Sequence, residues 1–122
     1  MSANRILTIG PVALTTTLTT NILNPAAAGS GTGYTPTASY IILRHVWVLN
    51  KTALAATFSF WLGATGGNVA GTEVIGSAQS VPPNSYFPWV GNLRIDSTQF
   101  LVGGAGTVTA LTFLADGEVG LA

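Results

Sequence analysis

The chain predicts an all-β fold: a single-domain antiparallel β-sandwich, jelly-roll-like, with seven or eight strands. Three observations carry this. Apolar and polar residues alternate with a period of two in several segments, as half-buried strands require. Clusters of Gly, Pro, Asn and Ser interrupt those segments roughly every ten residues, the spacing of a sandwich or jelly roll. No stretch carries the 3.6-residue period of an amphipathic helix, and no internal repeat of fixed length is present.

The elements follow in order. Met1–Arg5 is a short polar lead, and Ile6–Ile9 forms a short edge strand that Gly10-Pro11 ends. Val12–Leu23 places Val12, Leu14, Leu18 and Ile22 on one parity with Thr16 and Thr20, and Ala13, Thr15, Thr17, Thr19 and Asn21 on the other. β-Branched threonine suits a pleated surface better than a helix, so this segment is predicted as one strand. Asn24–Thr37 is a loop rich in Pro, Gly, Ser and Thr, with Tyr34 its only large apolar group. Its length marks it as a partner-contact candidate.

The richest region is Ser39–Ala64. Tyr40–Leu49 and Ala55–Leu62 read as the two arms of a hairpin turned by Asn50-Lys51-Thr52-Ala53. In the second arm Ala56, Phe58, Phe60 and Leu62 share one face. Gly63–Ser80 is irregular, with a short strand or one helical turn at Ala70–Gly76 turning Val74 and Ile75 inward. Pro82-Pro83-Asn84-Ser85 is a turn. Tyr86–Ile95 is a strand in which Pro88 implies an edge position or a bulge. Phe100–Val102 is a short strand, Gly103–Gly106 a turn, and Thr107–Ala115 a final alternating strand. Glu118–Ala122 continues that strand or forms a tail.

Composition narrows the function. The 122 residues fit one domain, divided here into an N-terminal arm (1–10) and a β-sandwich (11–122). Four basic and four acidic residues cancel, and charged residues are 7% of the chain against a usual ~25%. Such a chain has no electrostatic footprint for nucleic acid or anionic lipid. No apolar run approaches the ~20 residues of a helical membrane span, and the first ten residues do not read as a secretory signal. Yet hydrophobic residues reach 48%. Much apolar surface with little charge implies burial against copies of itself or a larger assembly. With no cysteine, disulfides, thiolate metal sites and thiol nucleophiles are excluded.

No reactive constellation emerges. His45, the single histidine, shares the parity of Ile41, Leu43, Trp47 and Leu49, and reads as a hydrogen-bonded core or interface residue. Asp116 and Glu118 would point the same way on a strand, but the oxygen ligands of a calcium loop are missing. Gly29-Ser30-Gly31-Thr32-Gly33 lacks the Lys-Ser/Thr ending and the helix of a phosphate loop. Asn50-Lys51-Thr52 matches a glycosylation sequon, a pattern common by chance. No cofactor and no metal are expected. Trp47, Trp61, Trp89, Tyr34, Tyr86 and Phe87 raise a surface-glycan hypothesis, with Trp61 as the best exposed platform beside Ala55, Thr57 and Ser59. The weightier reading of these aromatics is core or subunit-interface packing.

The stretches VLNKTALAATFSFWLGATGG, VPPNSYFPWVGNLRID, STQFLVGGAGTVTALTF and ADGEVGLA resemble small β-sandwich structural proteins of tailed-bacteriophage virions. The resemblance covers roughly residues 38–122 and is one of pattern, with no catalytic signature. It implies a virion location and a non-enzymatic head decoration (cement) protein, or a small tail, neck or adsorption component. The implied partners are copies of the chain, the major capsid protein or other virion proteins. It also implies intersubunit contact by Met1–Gly10, through Ile6, Leu7 and Ile9, and by Asn24–Thr37, through Tyr34. Deletion of Ser2–Ile9 should then weaken assembly and spare the fold. Trp61, Tyr86, Phe87 and Trp89 complete the candidate interface.

Overall fold

A computed structural model of the protein describes residues 5–25, 38–107 and 110–121. Their strands are β1 (Arg5–Ala13), β2 (Asn21–Leu23), β3 (Ala38–Asn50), β4 (Ala56–Gly63), β5 (Gln79–Val81), β6 (Ser85–Asp96), β7 (Phe100–Ala105) and β8 (Leu111–Leu121). They form two four-stranded sheets, one ordered β1-β8-β3-β6 and the other β2-β7-β4-β5. Every pairing is antiparallel. This is the jelly-roll order: successive strands change sheet at every connection except β4 to β5. The all-β sandwich expected from the sequence is the observed one.

The inner faces supply one core. Ile41, Leu43, Val46 and Val48 of β3 and Leu111, Phe113, Ala115 and Val119 of β8 face Phe58 and Phe60 of β4 and Leu101 of β7. Aromatic rings tie the layers together. Phe58 meets Phe87 of β6 edge-on at 5.4 Å, and Phe60 meets Phe113 of β8 at 5.7 Å and 87°. Such pairs add roughly 0.5–1.5 kcal/mol beyond the area they bury.

The predicted hairpin is an arch. β3 and β4 lie in opposite sheets, so residues 51–55 carry the chain across the sandwich. Buried Asn50 builds this crossing. Its Nδ2 donates to the carbonyls of Leu54 (2.9 Å) and Val81 (3.1 Å). Its Oδ1 accepts from the Thr52 amide (2.9 Å) and hydroxyl (2.7 Å). Asn84, at a positive φ of 51° that asparagine tolerates, donates its amide to the Thr52 carbonyl and locks the neighbouring turn onto the arch.

Other segments also differ from expectation. The strand predicted over residues 12–23 is broken: β1 ends at Ala13 and β2 begins at Asn21. Between them the Thr20 amide and hydroxyl both bond the Thr17 carbonyl, the local competition that favours threonine in turns. Thr15 and Thr20 still accept from the Ala105 and Gly103 amides, so the segment runs beside β7 without pairing evenly. β1 does not stop at Gly10-Pro11; it continues past a register shift and a cis peptide there. Residues 5–9, within the segment assigned to an arm, therefore pair along β8, and Ile9 is core. Removing Ser2–Ile9 would strip that edge strand, so the deletion does not test assembly alone.

Gly103–Gly106 is not a turn, because Gly103, Gly104 and Ala105 lie in β7. Gly103 sits at φ +153°, where a Cβ would stand 2.0 Å from the Ser59 carbonyl oxygen. Residues 70–76 form no regular element; Val74 and Ile75 pack on the core while the backbone of Thr72, Val74 and Gly76 bonds to β4. The last strand starts at Leu111 and runs to Leu121, so the Glu118 segment is its continuation, and residues 108–109 lie outside the described residues.

β8 approaches β3 closely at Gly117, where a Cβ would lie 2.0 Å from the Ile42 carbonyl oxygen. Backbone cannot yield as a flexible side chain does. Gly117→Ala is expected to cost about 2–3 kcal/mol, measured by urea denaturation. An unchanged midpoint would mean that the two central strands sit further apart.

Candidate functional site

The outer face of the β1-β8-β3-β6 sheet gathers the chain's unusual surface chemistry. Pairing across β8, β3 and β6 sets its rows: Thr112, Leu49, Tyr86; then Leu114, Trp47, Pro88; then Asp116, His45, Val90; then Glu118, Ile42, Arg94. The first two rows are nearly all apolar. The next two carry most of the charge. Val90 is 71% exposed, Tyr86 52% and Leu49 37%.

A bulge makes this layout. Between Leu43 and His45 the register shifts against both β6 and β8. Arg44 and His45 are exposed in succession, and inward parity passes from Ile41 and Leu43 to Val46 and Val48. A bulge re-aims side chains in this way. His45 is therefore not a core residue: it stands on the outer face, its ring stacked on Trp47 at 5.6 Å and 10°. Its Nδ1 lies 3.0 Å from Asp116 Oδ1.

Around this pair runs a polar chain. Arg44 Nη2 is 3.8 Å from Glu118 Oε1, and the Tyr40 hydroxyl donates to Glu118 Oε2 at 3.2 Å. The Arg94 guanidinium lies 4.3 Å above the Tyr40 ring and donates through Nε to Asp96 at 2.8 Å. Five of the chain's eight charged residues and its single histidine thus share one face. These pairs are half exposed, so each contributes at most about 1 kcal/mol to stability. Their effect is to hold opposite charges side by side.

An imidazole oriented by a carboxylate needs a nucleophile or bound water to act on. Among the described residues no hydroxyl hydrogen-bonds to His45. Among them, too, no group of three His, Cys, Asp or Glu is placed to hold a metal, and no helix is long and apolar enough to cross a membrane. Asp116 and Glu118 do share a face, but each is engaged by a neighbour. A shallow depression of about 340 Å³ opens at the arch end, lined by Leu49, Asn50, Lys51, Asn84, Ser85 and Tyr86.

The candidate interface residues do not converge. Of those whose side chains are described, Tyr86 joins the outer face just described. Phe87 and Trp89, one position away on either side of Pro88, turn inward and pack on the core, because β6 alternates along its whole length. Ile9 is buried. Ile6 and Leu7 lie in β1 opposite Glu118 and Gly117, and Tyr34 lies outside the described residues. Trp61 is half-buried on β4 in the other sheet, paired with Val102 and Glu73. Pro88 does mark an edge strand, as expected.

Sequence reasoning did not select Leu49, Val90, Leu114 or the charge network. The alternation of β6 is signal enough to assign Val90 to the face of Tyr86. The network has no local signature, since its members come from three strands. No protein-family model, curated protein or solved structure matches this chain.

Proposed function

We propose that this protein is a non-enzymatic structural component of a tailed-bacteriophage virion, a capsid decoration protein that bridges neighbouring subunits on the head exterior. The observation that carries the structural part of this reading is the outer face of the β1-β8-β3-β6 sheet. An apolar half with Leu49, Trp47, Leu114 and Tyr86 adjoins a half whose charges are already paired. Such a face suits burial against protein. The virion assignment rests on the sequence resemblance.

The mechanism is adhesion. Apolar area removed from water stabilises contact by roughly 25 cal/mol per Å² before association costs are met. A rigid scaffold keeps those costs low, and the bonded arch at Asn50 and the ring contacts between sheets supply rigidity. The partners are copies of the chain, the major capsid protein or other virion proteins. A role in the tail or neck uses the same chemistry. A glycan-binding adsorption module is less well supported, because Trp61, its expected platform, stands on the other sheet from Trp47 and Tyr86.

Particles lacking the protein are expected to release DNA at a lower temperature, and added purified protein to restore the wild-type profile. Trp61→Ala protein should restore it equally. Equal heat stability with and without the protein would contradict cementing. A saccharide-dependent signal on a glycan array would move the assignment to adsorption.

A further inference from the structure

We infer that the outer face of the β1-β8-β3-β6 sheet pairs with the same face of a second copy, about a two-fold axis running between β8 and β3. The inference rests on the reading that this face is buried in an assembly, and it names the occupant.

On β8 the outward residues are Thr112, Leu114, Asp116 and Glu118; their row partners on β3 are Leu49, Trp47, His45 and Ile42, with Arg44 bulged beside them. Acids thus line one strand and the cationic or imidazole groups the other. A two-fold axis parallel to the strands and midway between them keeps every row in place and exchanges the two columns. Asp116 then meets the second copy's His45, Leu114 meets its Trp47, and Glu118 meets its Ile42, with the bulged Arg44 as the nearest cation. Each side-by-side pair stacks head to tail on its own copy. A closed, isologous interface requires such self-complementarity.

An axis across the strands fails on the same rows: it would set Leu114 against Asp116 and Thr112 against Glu118, leaving both carboxylates desolvated without an opposite charge. Size is adequate too. Four strands about 4.8 Å apart and ten residues rising about 3.3 Å each give roughly 600 Å² per copy, or about 1,200 Å² in all, the lower end of specific interfaces.

The test is sedimentation equilibrium of the full chain with three variants. Wild-type protein should dimerise. Leu114→Asp should weaken the dimer at least about tenfold by placing a charge against the partner's Trp47. Arg44→Glu and Glu118→Arg should each weaken it by a similar factor, since each sets like charges together twice across the axis. An equimolar mixture of Arg44→Glu and Glu118→Arg should recover association, because only the mixed dimer restores both opposite-charge contacts. Circular dichroism confirms that each variant is folded. A monomer at about 100 μM, a range in which a specific interface of this size associates, would overturn the inference. So would a dimer indifferent to Leu114→Asp, or swaps that fail to rescue each other.

The outcomes separate from those of the broader reading. A monomer that still incorporates into virions defeats the pairing and leaves the structural role. A dimer behaving as described but absent from particles defeats the virion role and leaves the pairing.

Discussion

Phe113→Ala is expected to destabilise the fold by about 3–5 kcal/mol, the usual cost of truncating a buried phenylalanine. Phe113 is fully buried on β8, a central strand of its sheet, and its ring meets Phe60 of the opposite sheet edge-on. Truncation removes an inter-sheet contact and leaves a cavity between two rigid layers that cannot collapse into it. Natural domains retain only about 5–15 kcal/mol of stability, so a large share is lost at one position. Phe113→Leu, which keeps much of the volume, should cost about 1–2 kcal/mol. Thermal and urea unfolding measure both. Similar midpoints for the alanine and leucine variants would show that Phe113 does not bridge the layers.

Asn50→Ala is the second large effect, at about 3–4 kcal/mol. The side chain makes four hydrogen bonds, to Leu54, Val81 and twice to Thr52, and Asn50 is 2% exposed. Each bond contributes about 1 kcal/mol net, and the loss leaves carbonyls near the core without a donor. Asn50→Asp should also be costly. It keeps the acceptor toward Thr52 but turns a donor toward two carbonyl oxygens into a negative charge. Hydrogen exchange locates the damage: amides of residues 51–55 and of β5 should lose protection first. Loss of protection spread evenly over both sheets would contradict a local role for Asn50.

The sequence revealed elements more readily than their partners. The alternation of Phe58, Phe60 and their neighbours predicted β4 and its buried face correctly, and Pro88 predicted an edge strand. Local pattern cannot say whether two adjacent strands pair in one sheet or cross between two. β3 and β4 look like hairpin arms for that reason, and the decisive bond, Asn50 to Val81, spans 31 residues. Likewise, five threonines between residues 15 and 20 suit a strand, yet the Thr17–Thr20 bonds make a turn. Gly103-Gly104 suits a turn, yet tight backbone packing makes it strand.

The candidate surface was legible only in part. Tyr86, Pro88 and Val90 fall on one parity of β6, so their common face could be read once the strand was accepted. The same alternation turns Phe87 and Trp89 inward, which a search for large aromatics overlooks. His45 is hydrogen-bonded and shares a face with Trp47 and Leu49, as its parity indicates, but the bulge at Arg44 separates it from Ile41 and Leu43, and nothing in the local sequence announces that. The charge network needs Arg94, Tyr40 and Glu118 from three strands, a conjunction that topology alone creates.

The proposed role as a structural part of a virion is tested by copy number per particle. Quantitative mass spectrometry of purified virions against the major capsid protein supplies the figure. A ratio near parity or a simple fraction of it is expected, as a head-lattice component requires. Absence from the particle would contradict it.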